Sequence, residues 1–508
     1  MGAEPTINLG LGDWLIILIY FALVIGIGIS VSRKRLGFDD YFVAGRAVTS
    51  PLLVATLVST FYGLGALFGT AEVGYMSGIV ALFSFSLPFY LMFIIMAILS
   101  PKIHDRNPQA RSMVDLMGET YGKGTRVLAA LTSFFYSTNT MEIMGMGFIF
   151  SLFFHIPFGW GVVLGTVISL IYTFFGGLKA DILSDLVQFC LMLVTLGIAT
   201  FISWSSMGGV TGVWNGLAQF TQSDPSTYFH PLGGFLTLPL FLVYGTTSLA
   251  VLGDPAFFQR IFASASGKEI RRGFLLGIPM WLSFDLCVTL LGMMAAAATG
   301  MGIIAETHPD QGIIALLGHF LPPGLIGIFV AGLFATAMST ADSYFLVSGG
   351  NLVYDIYRPV FRPNLEEHKL TKYTRLGVLV SALISLVLVF YFGRIVGVWV
   401  FQASLIINSV LFPLYAALFY RGRKTRLAGM LSCGFGFVAT ILYYFLISTF
   451  GYYSTDWETY MLDLTIFGKT FTIWQEYNIF FILPLVVALY FIGNIISKEG
   501  KKCTAGMS

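Results

Sequence analysis

The sequence predicts an all-α membrane protein of about thirteen transmembrane helices, and three observations predict it. Only 11% of the 508 residues are charged while 56% are hydrophobic, against roughly a quarter charged in an ordinary soluble domain. The apolar residues fall in runs of about 20, the length that crosses a hydrocarbon core of about 30 Å. The basic residues between those runs gather on alternate loops, the pattern that orients a protein crossing the bilayer many times.

Taken in order, spans are predicted near 13–31, 49–72, 75–100, 127–154, 157–175, 181–203, 233–254, 272–299, 322–350, 374–392, 395–420, 427–450 and 475–497. The first differs from a signal peptide, because its basic cluster Arg33-Lys34-Arg35 follows the apolar run and no small-residue cleavage site comes after it. Basic loops follow the first, third, fifth, seventh, ninth and eleventh spans, and Lys498, Lys501 and Lys502 close the chain. Of 28 Lys and Arg, only Arg394 and Lys469 fall on the other side. The expected setting is therefore the plasma membrane, with the N-terminus outside and the C-terminus in the cytoplasm. A net charge of +2 gives no reason to expect a nucleic-acid partner. Cys190, Cys287, Cys433 and Cys503 have neither paired nor metal-like spacing, so no disulfide is expected. Residues 1–508 read as one membrane domain, with outer loops near 204–232, 300–321 and 451–474 that are expected to carry short helices.

Two spans carry breaking signals at matching positions. The second contains Gly63, Gly65 and Gly69, and the seventh contains Tyr244-Gly245-Thr246-Thr247-Ser248. They lie five spans apart, and an odd repeat length inverts orientation, so two five-helix halves would form an inverted pair with broken helices at mid-membrane. Within or at the ends of spans lie Glu72, Glu142, Asp185, Asp254, Asp285 and Asp342, and no Lys or Arg is expected deep in a span to pair with them. A buried carboxylate without a partner must take up a proton or hold a cation. The ninth span adds Thr336, Ser339, Thr340 and Ser343 at three- and four-residue steps, with Asp342 beside them. Such a stripe of hydroxyls, with carbonyls freed by an unwound helix, suits sodium, a hard cation that takes oxygen ligands.

These residues also resemble the sodium:solute symporter family, which includes sodium/glucose, proline and sialic acid transporters. The likeness covers essentially the whole chain. It is carried by Tyr41-Phe42-Val43-Ala44-Gly45-Arg46, by Gly176-Gly177-Leu178 with Asp185 and Gln188, by Phe258-Gln259-Arg260, and by the run from Met338 to Ser343. The resemblance implies the leucine-transporter fold: one extra N-terminal helix (13–31), a five-plus-five inverted core (49–420) and two C-terminal helices (427–497). It also implies a sodium site formed by Ser59, Tyr62 and Thr336 through carbonyls and by Ser339 and Thr340 through hydroxyls. A second sodium, present in some members, would fall on Asp185, Ser339, Asp342 and Ser343. Gly69-Thr70-Ala71-Glu72 and Phe258-Gln259-Arg260 look closest to the choline-transporting branch. The tryptophan cage of that branch, however, would align with Phe61, Gly145 and Asp254, so choline itself is not expected.

The function expected is sodium-coupled import of a small organic solute by alternating access, with sodium as the co-transported ion and no enzymatic activity. An amino acid, a monocarboxylate and an amine all remain open as the solute. The residues expected to line its pocket are Phe61, Tyr62, Gly65, Phe135, Asn139, Glu142, Tyr244, Thr247 and Asp254. A proton-coupled carrier, motivated by Asp185 and Asp342, is the close alternative. A non-transporting membrane sensor of the same fold is the distant one. The expected surroundings are the lipid bilayer and the solute, with no soluble protein partner implied.

Overall fold

Ten helices among the described residues are long and apolar enough to cross a bilayer, and two further pairs qualify when their halves are taken together. The computed structural model describes residues 9–32, 37–232, 237–392, 394–454, 457 and 459–497. Arg33, Lys34, Arg35, Lys498, Lys501, Lys502 and Cys503 lie outside the described residues. One bent pair, Ser50–Phe61 and Leu64–Ser77, turns by 59° and is the second span, broken at Tyr62-Gly63. The other, Lys123–Phe154 and Phe158–Ile171, turns by 117°, which is a reversal between two crossings. With the reversal counted that way, each of the thirteen predicted spans has its helix. Helices dominate because lipid offers the backbone no hydrogen bonds, so each segment must satisfy its own.

The breaks have local causes. His155 takes a left-handed conformation (φ 56°) at the reversal, and Pro157 then opens the next helix. Between the fifth and sixth spans, Gly177 has φ 59° and ψ −174°, a conformation open in practice only to glycine. A Cβ there would also strike Tyr41, which belongs to the motif before the second span. The seventh span runs as an α-helix over Leu238–Thr247, tightens to a 3-10 turn over Ser248–Gly253, extends at Asp254 and resumes over Pro255–Ala263. It therefore continues nine residues beyond the predicted end at 254, and Arg260 sits inside it and not in a loop. A further break, at Ser137–Asn139 of the fourth span, was not among the predicted ones.

The two broken spans run in opposite senses. Val48, just before the second, takes a backbone bond at 2.9 Å from Ala265 and gives one at 3.1 Å to Ala263, at the end of the seventh. Where one span begins the other finishes, as an inverted pair requires. The first helix, Leu11–Ser32, packs on the sixth span, where Gln188 donates to Tyr20, and on the ninth. Its buried Asp13 accepts from the Gly324 and Gly327 amides at 2.8 and 2.7 Å, satisfying free donors at the N-terminus of the ninth span.

Two of the three long loops expected on the outer side carry the expected short helices, Gly209–Thr221 and Gly312–Phe320. The third does not. It forms an antiparallel sheet of Tyr452–Ser454, Thr459–Ile466 and Lys469–Trp474. Its tight turn is Phe467-Gly468, with φ of 50° and 75°, the paired positive angles of a two-residue hairpin loop.

Candidate functional site

Breaking the second span frees backbone groups on both sides of Tyr62-Gly63, and different spans satisfy each side. The last carbonyls of the first half lose their helical donors. Ser339 of the ninth span donates its hydroxyl to the Ser59 carbonyl at 2.9 Å and to Thr336 O at 3.1 Å. Thr340 donates to Thr60 O at 2.9 Å and lies 3.4 Å from both Ser59 O and Thr336 O. Four of the five residues implied for the first sodium site thus meet through their oxygen atoms, and the fifth, Tyr62, is the break itself. All five are buried. The Thr60 carbonyl joins them, although the sequence does not single it out.

On the other side of the break, the first amides of Leu64–Ser77 point at Glu142 of the fourth span. Its carboxylate accepts from Leu64 N at 2.8 Å and from Gly65 N at 3.3 Å. A negative charge there complements both the free amides and the positive end of the helix dipole. Glu142 Oε1 and Thr340 Oγ1 approach Gly63 so closely that a Cβ would collide with both. Any larger residue would have to displace the Glu142 carboxylate and the Thr340 hydroxyl where the two polar clusters converge.

Two of the six acids, Asp185 and Glu72, have bases after all, which corrects the sequence-based expectation for them; Glu142, Asp254, Asp285 and Asp342 accept from amides or hydroxyls. Arg260 is fully buried, with its Nη2 3.1 Å from Asp181 and 3.5 Å from Asp185. It also donates to Thr56 at 2.8 Å and to Thr60 and Ser343. Glu72 pairs with Arg394, which also donates to the Trp457 carbonyl at 2.7 Å. Arg260 reads as a loop residue because the seventh span extends further than hydropathy alone indicates, whereas Arg394 does lie between spans, just before Ile395–Leu405, and reaches Glu72 from there.

Of the residues implied for a second sodium, Ser343 donates to the Ser339 carbonyl at 3.0 Å. Asp185 and Ser343 share Arg260 as their partner, so a side-chain cation already stands between them. Ser339 faces Ser59, and Asp342 accepts from Thr173 of the fifth span at 2.7 Å. The sequence missed Asp181, four residues before Asp185 on one helix face. That spacing is itself a signal.

A cavity opens beside the break. Of the expected pocket residues, Phe61, Tyr62 and Gly65 line it, joined by Gly69 and Thr70 further along the second span. The third span contributes Phe85, Ser86, Phe89, Tyr90 and Phe93; the eighth contributes Trp281 and Asp285; the eleventh contributes Val396 and Trp399. The remaining expected residues lie elsewhere. Phe135 packs on Phe437, and Asn139 donates to Ala341 O at 2.9 Å. Asp254 caps the resumed seventh span by accepting from Phe257 N at 2.9 Å, and it also accepts from Tyr136 and Tyr344. Thr247 stands behind Trp399, whose indole donates to it at 3.2 Å, and Tyr244 stacks behind Phe85 at 4.5 Å. Together with Glu142 on its helix end, these six support the wall or the helix breaks and are not lining residues.

The profile of the sodium:solute symporter family matches residues 41–432. The chain belongs to this family. Among its relatives, the sodium/pantothenate symporter of Haemophilus influenzae is 29% identical over 365 residues, covering 69% of this chain and 73% of that protein. The high-affinity choline transporter 1 of Drosophila melanogaster is 24% identical over 434 residues, covering 78% of this chain and 65% of its own. A solved sodium-coupled sialic acid symporter, captured outward-open with substrate, superposes with a TM-score of 0.71 at 16% identity, covering 97% of this chain and all of its own. The fold is thus that of the leucine-transporter class, as the sequence predicts. The protein is a multi-pass membrane transporter, a sodium-coupled symporter of a small organic solute, and not an enzyme.

Proposed function

We propose that sodium binds across the break in the second span, on the carbonyls of Ser59, Tyr62 and Thr336 and the hydroxyls of Ser339 and Thr340, and that the solute occupies the adjoining cavity. The observation that carries this reading is the meeting of the Ser339 and Thr340 hydroxyls with the Ser59 and Thr60 carbonyls. These are hard oxygen donors at a helix end with partial negative charge, a fit for a small monovalent cation. Phe61 and Tyr62 belong to the break and also line the cavity. Fixing the break with an ion therefore fixes two walls of the solute site, and by linkage each ligand raises the other's affinity. One sodium entering through 100 mV releases about 2.3 kcal/mol before any concentration term. We propose the plasma membrane as its location, with the N-terminus outside and the C-terminus inside.

Thermal unfolding of the purified protein in sodium against potassium, at equal ionic strength, tests the site. An ion that binds the folded state alone raises its stability with concentration. Sodium is expected to raise the midpoint and potassium to leave it unchanged. Ser339→Ala is expected to need about tenfold more sodium for the same rise, a loss on the order of 1.4 kcal/mol. Equal sodium responses in wild type and variant would overturn the assignment. Uptake driven by a pH gradient in sodium-free buffer, indifferent to added sodium, would favour the proton-coupled alternative.

A further inference from the structure

Resting on the reading of this cavity as the solute site, we infer that the solute is a small organic cation, an amine or quaternary ammonium compound, with its charge held beside Asp285. Asp285 is the one acid among the lining residues, and no Lys, Arg or His lines the cavity with it. Tyr90 donates to its carboxylate at 2.5 Å. Around it stand aromatic rings from four spans. Trp281 stacks on Phe93 at 3.8 Å, and Trp399 meets Phe61 and Phe89 edge to face or tilted, at 6.1 and 5.8 Å. Ring faces attract a cation through their quadrupoles, and the attraction grows when water is excluded. An anion would find no cationic partner here and would meet the like charge of Asp285, the other polar lining groups being two tyrosines, two indoles, Thr70 and Ser86.

A second, independent observation points the same way. A solute carboxylate in such a fold needs a cation or a helix N-terminus to receive it. The N-terminus beside the cavity, at Leu64 and Gly65, is already filled by Glu142. Arg394 is engaged by Glu72 and Trp457, and Arg260 by Asp181 and Asp185. Each of these protein groups is thus held by the protein's own side chains, which leaves only the proposed sodium to receive a carboxylate, while Asp285 faces the cavity. The cage is also not the one the choline-branch alignment points to. Asp254 and Gly145 of that alignment lie outside the lining, and Trp281 and Trp399 supply the indoles instead.

The experiment is a titration of the purified protein in saturating sodium, read by thermal midpoint and by tryptophan fluorescence, since Trp281 and Trp399 line the cavity. The probes are choline, phenethylamine and putrescine, with 3,3-dimethylbutan-1-ol as the uncharged match for choline, and pantothenate, proline and glucose as the other classes. At least one cation is expected to raise the midpoint and change the fluorescence, at a concentration at least tenfold below that required by the uncharged match. Asp285→Asn should weaken that cation at least tenfold while the response to sodium alone persists. Phe89→Leu, which removes a ring face and leaves the carboxylate, should weaken it several-fold and serves should Asp285→Asn fail to fold. No response to any cation overturns the inference, whether or not the other probes bind, as does an Asp285→Asn variant that binds the cation unchanged. Sodium titrated alone separates the two failures: a sodium response without a cation response removes only the solute class, whereas no sodium response removes the ion site.

Discussion

Arg260 concentrates more buried charge chemistry than any other described side chain away from the cavity. It links Asp181 and Asp185 of the sixth span to Thr56 and Thr60 of the second and to Ser343 of the ninth. Removing one partner of a buried ion pair leaves an uncompensated charge and costs about 3–5 kcal/mol. Arg260→Met is therefore expected to lower stability by about that amount in denaturant or thermal unfolding. Combining it with Asp181→Asn and Asp185→Asn should recover a large part, and a triple variant no better than the single one would show that the charges are not the cause. Gly63 makes a different kind of demand, for space. Gly63→Ala should lower the thermal midpoint and abolish the sodium response, since its methyl would meet Glu142 and Thr340. Gly397→Ala, where nothing lies within 4 Å, is the matched control and should be neutral.

The broken second span is the element on which the site is built. Its two halves end in opposite partial charges across Tyr62-Gly63, and the surrounding spans answer each with the complementary group: hydroxyls on the carbonyls, a carboxylate on the amides. Glu142→Gln retains the shape but not the charge, and is expected to lower stability by about 1–2 kcal/mol through the loss of a charged cap. An unchanged midpoint would mean that Glu142 does not act as that cap. The break was legible in the sequence as Gly63 and Gly65, and so was the hydroxyl stripe of the ninth span, since both follow from local composition and helical spacing. The aromatic wall was less so. Phe85, Phe89 and Phe93, with Ser86 and Tyr90, recur at four-residue steps, but in a membrane helix such a pattern serves lipid contact as readily as a cavity. Only the packing of the third span against the seventh and eighth turns those rings inward.

Across the whole molecule, the cavity lies between the paired clusters of Arg260 toward one end of the broken helix and Arg394 toward the other. Arg394 ties Glu72 on the second span to the loop that carries the three-stranded sheet, through the Trp457 carbonyl. Arg394→Ala should leave Glu72 buried without its base and free that tie. A cysteine placed at Thr70, which lines the cavity, is then expected to react faster with a membrane-impermeant thiol reagent than in the parent. Equal labelling rates would show that this pair does not hold the outer side. The sequence by itself determined the number of crossings, the inverted order of the two broken spans, the family and the oxygen-rich stripe, because span length, glycine and hydroxyl spacing act within one helix. Only the tertiary structure decided which base meets which acid, that Arg260 contacts both Asp185 and Ser343, and that aromatic rings and Asp285 line one cavity. Those pairings join residues up to hundreds of positions apart. Their energies depend on which side chains exclude water together, and that is settled only when the helices pack.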